Sequence, residues 1–168
     1  DDDMLVICNT VLSRGGERNV GGFDFALRGS VTALNGTDTN AVSIRPRATF
    51  NGLPSRPTFE LLDIEILVTG NFPVEWEIVL GQALTAPVYV DANTTYSQME
   101  YVTGATLSGS PAIVTAAGSN LNKGLNTRTT TNRYPIHRQN DLGVLTLLVN
   151  GVGGSSACRW EIHWKEVR

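Results

Sequence analysis

Lysine is nearly missing from this chain. Of its 13 basic residues only Lys123 and Lys165 are lysines. Exposed surfaces favour lysine and interfaces avoid it, whereas arginine is accepted at interfaces. An Arg-dominated basic set therefore points to a surface that faces another protein chain, with GC-rich coding as the alternative source of the bias. Cysteine is as scarce. Cys8 and Cys158 cannot make a disulfide scaffold; they either form one bridge or stay as two buried thiols. Histidine is limited to His137 and His163, and no Gly-x-Ser-x-Gly elbow is present, which removes the usual Ser-His-Asp hydrolase. No Cys/His set supports zinc, and no phosphate-cradling glycine loop occurs, so no cofactor is implied. No apolar run approaches the roughly 18 residues of a membrane span. A net charge of −3 argues against nucleic-acid binding.

What the chain does have is period-two alternation. In 157–167, Cys158, Trp160, Ile162 and Trp164 fall on one face and Arg159, Glu161, His163 and Lys165 on the other. Cys158 thus sits in an apolar row, which favours the buried thiol. The pattern returns in 23–34 and in 74–80, around Trp76. Residues 41–50 form a further candidate, demoted to an edge or bulged strand by Pro46. In 58–68 the apolar phase runs Phe59, Leu61 and then slips to Leu62, Ile64, Ile66, Val68, so a bulge or a change of sheet belongs near Leu61–Leu62. Residues 51–57 read as a loop. Weaker strands at 87–91, 97–103 and 112–116, then 142–149, complete about eight or nine. No helical period of comparable length appears. The expectation is an all-β, antiparallel two-sheet β-sandwich, a jelly roll ahead of an immunoglobulin-like sandwich. An N-terminal arm or leading strand and connector occupies 1–22, and a single sandwich domain occupies 23–168.

Charge placement supplies the interface candidates. Glu60, Asp63, Glu65, Glu75 and Glu77 crowd 58–77 with no base, while 101–140 carries Lys123, Arg128, Arg133 and Arg138 with no acid. The two sets could complement each other within a protomer or between protomers. Arg45, Arg47, Arg128, Arg133 and Arg138 are the expected interface residues. Tyr96, Tyr101 and Tyr134, in or near loop-rich segments, are the candidates for stacking on a glycan; Tyr89 is of the same kind. His137 lies in a loop-like segment, and His163 reads as a solvated strand residue. Asp91-Ala92-Asn93 holds only a fragment of a calcium loop. Leu61-Leu62-Asp63-Ile64-Glu65 is similar to the Glu-x-Asp-x-Glu strand of jelly-roll glucanases, but Leu61 replaces the nucleophile, so no catalytic residue is assigned.

Three segments together, Ser43-Ile44-Arg45-Pro46-Arg47-Ala48-Thr49-Phe50-Asn51-Gly52, Pro73-Val74-Glu75-Trp76-Glu77-Ile78, and Gly151-Val152-Gly153-Gly154-Ser155-Ser156-Ala157-Cys158 running into Trp164-Lys165-Glu166-Val167-Arg168, carry a resemblance. They resemble the C-terminal β-rich, jelly-roll-like module of tailed-bacteriophage virion structural proteins, in a fibre, spike or capsid-surface appendage. The likeness spans roughly residues 40–168. It implies a non-enzymatic virion protein, a homo-oligomer with a trimer favoured, other virion proteins as partners, and a host surface glycan as a possible ligand. The alternatives are a polysaccharide-degrading jelly-roll enzyme and a cellular carbohydrate-binding module.

Overall fold

The computed structural model describes residues 22–55, 57–110, 113–120, 124–129, 133–134 and 143–167. Cys8, Lys123, His137 and Arg138 lie outside them. No helix forms among the described residues. The strands in chain order are β1 (Gly22–Ala33), β2 (Thr39–Pro46), β3 (Thr49–Phe50), β4 (Leu53–Pro54), β5 (Thr58–Val68), β6 (Val74–Leu80), β7 (Val90–Asp91), β8 (Met99–Val102), β9 (Ile113–Asn120), β10 (Gly124–Thr129), β11 (Arg133–Tyr134), β12 (Leu145–Gly151) and β13 (Ser156–Val167).

The topology follows from nested pairing. The first long strand pairs with the last, β1 with β13; inside that pair, β2 meets β12, β5 meets β10, and β6 meets β9, each antiparallel. Successive pairs alternate between two sheets. One has the order β1-β13-β5-β10, with β11 also on β5; the other runs β7-β8-β2-β12-β6-β9. Strands folded back on themselves in this way make a jelly roll, with β7 and β8 added beyond β2.

The alternating residues explain why the sheets face each other. Phe59, Leu61, Ile64, Ile66 and Val68 of β5, with Cys158, Trp160, Ile162 and Trp164 of β13, meet Val42, Ile44, Val74, Trp76, Ile78, Leu145, Leu147 and Val149 of the other sheet in one buried core. The slip in β5 is a bulge. His163 pairs with Asp63 and Trp164 with Leu61, leaving Leu62 as the extra residue, so Leu61 and Ile64 can both point inward.

Two expectations are corrected, and two strands join those expected. Of the two readings of β2, edge or bulged, the bulge is present on the β12 ladder, where Val42 and Asn40 face Leu147 and Leu148, but the strand is interior, between β8 and β12, and Pro46 is tolerated because it is the last residue of the strand. Part of the expected loop 51–57 is a hairpin. β3 and β4 are joined by Asn51-Gly52, whose φ values of 51° and 79° suit a two-residue turn with both central residues left-handed. Within 121–138, β10 and β11 are strands on β5, although their polar sequence shows no alternation.

Both sheets use one packing device. Trp160 stands opposite Gly29 and Trp76 opposite Gly118. Each indole lies across its glycine so closely that an added Cβ would sit 2.5 Å from the ring. A side chain on either glycine would take the space that the ring fills, so the strand neighbour of each large indole has to be small.

Candidate binding surface

Two of the expected interface arginines turn out to organise one end of the β2–β8–β7 ladder. Register sets Arg45 against Glu100, and Glu100 against Asp91. Arg45 Nε donates to Glu100 Oε1 at 2.6 Å, and its guanidinium lies 3.6 Å over the Tyr89 ring. Arg47 Nε is 3.1 Å from Asp91 Oδ1, and its Nη1 donates to the Ser97 carbonyl at 3.3 Å. Both arginines are thus held by partners within the chain. Asp91, read as part of a calcium fragment, is an arginine partner. Asn93 Oδ1 accepts the N–H groups of Thr95 and Tyr96, each at 3.0 Å, which makes it a turn residue. Among the described residues no group of three His, Cys, Asp or Glu side chains could hold a metal.

The same loop is fixed from the opposite sheet by Glu166. This carboxylate is fully buried. Its Oε1 accepts from Ser97 Oγ at 2.5 Å and Trp164 Nε1 at 3.1 Å, and its Oε2 accepts the Gln98 N–H at 2.7 Å. A buried charge needs such donors. Sequence reading missed Glu166, although the inward row Cys158, Trp160, Ile162, Trp164 extends to it by simple alternation; a carboxylate in an apolar row is the signal.

Anchored on both sides, the loop presents Tyr96 at the surface. Tyr96 is 54% exposed and packs against Phe23, which is 45% exposed, with ring centroids 5.7 Å apart. The aromatic row continues inward through Phe25, Trp164 and Phe59 at spacings of 6.4, 5.5 and 6.0 Å. Tyr101 is half-buried on β8 and packs against the core. Tyr134 takes the register position opposite Phe59, Arg133 the one opposite Glu60, and Arg128 the one opposite Ile64. The acidic set is divided: Glu60, Asp63 and Glu65 lie on β5, Glu75 and Glu77 on β6 in the other sheet. Of the charge complementarity expected, the register among the described residues sets one base of the set, Arg133, opposite one acid, Glu60.

The outer face of the β1–β13–β5 sheet is a lattice of charges. Arg28, Glu161 and Glu65 form one cross-strand row and Ser30, Arg159 and Leu67 the next. They line a shallow depression of about 430 Å³. Beside it, His163 is half-buried between two carboxylates, with Nε2 2.8 Å from Glu161 Oε1 and Nδ1 3.4 Å from Asp63 Oδ1. It is therefore a paired residue, where a solvated one was expected. Alternation sets Glu161 beside it on one face, whereas Asp63 reaches it only through the β5 register. Glu65 and Glu161 project side by side from one sheet face. Two carboxyls flanking a glycosidic bond would have to stand across a cleft.

No family model matches this chain, and no curated protein matches it in sequence.

Proposed function

We propose that this chain is a non-enzymatic structural or attachment module of a tailed-phage virion, which works by binding other protein chains. The observation that carries the reading is the nested jelly-roll pairing, an architecture used by capsid subunits and lectins. That support is analogy of fold, and it joins the resemblance in sequence. The pairing of Arg45 and Arg47 within the chain fits a module whose charged groups serve structure before chemistry. In this reading Tyr96, with Phe23, is the place where a host glycan would stack. Immunogold electron microscopy with antibody to this chain, on tailed particles from the same source, is the test. Gold on intact particles is the expected result; particles that carry none of the chain overturn the reading.

A further inference from the structure

β1 is a 12-residue strand that, among the described residues, pairs on one side only, with β13. An open strand edge is a template for another chain, and proteins usually blunt it with proline, lysine or a bulge. Gly22–Ala33 contains neither proline nor lysine, and its ladder to β13 runs without a register shift. Its two faces are distinct. Asp24, Ala26, Arg28, Ser30 and Thr32 are exposed on the outer face, while Phe25, Leu27 and Val31, on the core side, are only half-buried.

We propose that the β1 edge pairs antiparallel with β1 of a second copy of this chain, about a two-fold axis at Ala26, which joins the two sheets into one. The register is chosen by self-complementarity. A two-fold axis that falls between residues would set core-facing side chains beside outward ones, so it must pass through a residue. Centred on Arg28, two guanidiniums meet. Centred on Leu27, Asp24 faces Ser30 and Arg28 faces Ala26; centred on Phe25, Asp24 faces Ala26. Centred on Ala26, the smallest side chain lies on the axis and Asp24 faces the partner's Arg28 on both sides of it. Phe25 then faces the partner's Leu27, which completes the half-covered apolar row, and Phe23 faces the partner's Gly29. Opposite charges and aromatic–aliphatic pairs directly across an antiparallel ladder are favourable. Among the described residues neither Asp24 nor Arg28 makes an ion pair, although Lys165 and Glu161 stand opposite them on β13. A two-fold contact is closed, so it yields a dimer where the resemblance implies a trimer. The pairing is independent of what the assembled protein does.

Light scattering on the full chain at about 100 µM tests it. The expected mass is twice 18.1 kDa; a mass of one or of three chains overturns the proposal. Asp24→Arg and Arg28→Asp should each weaken the dimer about tenfold or more, because each converts two attractive pairs into two repulsive ones. The double variant Asp24→Arg/Arg28→Asp should regain it. Within one chain that variant sets a new guanidinium against Lys165 and a new carboxylate against Glu161, so recovery can arise only across the two-fold axis. A dimer undiminished in both single variants, or a double variant that stays dissociated, overturns the pairing. Circular dichroism of each variant separates a lost contact from a lost fold.

Discussion

Single residues decide how the two sheets are tied at the loop that carries Tyr96. Glu166 is the clearest case, since its carboxylate satisfies Ser97, Gln98 and Trp164 at once. Glu166→Ala would remove the acceptor of the Gln98 N–H and of Trp164 Nε1 and leave Ser97 Oγ with the Met99 carbonyl at 3.5 Å, and should cost about 3 kcal/mol or more in urea unfolding; Glu166→Gln, which keeps the shape and one acceptor, should lose less. Equal losses in the two variants would mean that packing alone matters there. Cys158 makes a second prediction. It is a free, buried thiol whose Sγ lies 3.6 Å from the Val31 carbonyl, and burial pushes its pKa from 9.0 to about 11. The unfolded chain releases this proton from about pH 9 while the folded chain keeps it, so the unfolded state binds fewer protons and stability falls as pH rises. The contribution is intact below pH 9 and drains by roughly 2–3 kcal/mol as pH approaches 11. Unfolding curves of Cys158→Ala should lack that part of the alkaline decline; an unchanged slope would count against it.

At the scale of strands, the two tryptophan–glycine pairs are the most sensitive features. Gly29→Ala and Gly118→Ala each push a methyl into an indole that has packed neighbours behind it, and each should lower stability by about 1–3 kcal/mol. Thermal unfolding checks this, and a neutral result at either site would show that its ring can move aside. Strands were legible where one face is apolar and the other charged. β13, β6 and β1 declared themselves, and even the Leu62 bulge could be read from the slipped phase. β10 and β11 could not. Gly124-Leu125-Asn126-Thr127-Arg128-Thr129 has no alternation to read, and β5 alone decides its conformation by offering an edge. Pro46 misled for a related reason: a proline ends a strand as readily as it marks an edge, and only the pairing partners tell which.

For the whole molecule, nesting has a kinetic consequence. The outermost pair joins Gly22 to Val167, so almost the entire chain must be ordered before β13 can take its place between β1 and β5. Refolding should fall in the millisecond-to-second range of non-local β folds. A chain ending at Ser155, which lacks β13, should show no cooperative unfolding transition by circular dichroism, because β1 would lose the one partner it has among the described residues and β5 would keep only β10 and β11 on its other side. A cooperative transition in that truncated chain would place the stability of the fold in the other sheet.

By itself the sequence determined that the protein is all-β and that its tryptophans line an interior. These are properties of period, volume and composition, carried by neighbouring residues on one strand. The tertiary structure alone decided which polar side chains meet. Arg45 found Glu100, Arg47 found Asp91, His163 found Asp63, and Glu166 found the loop at Ser97. Among the described residues it also left β1 paired on one side only. Each of these depends on the register and order of strands far apart in the chain, and register is set by how the two sheets close over one core rather than by any local run of residues.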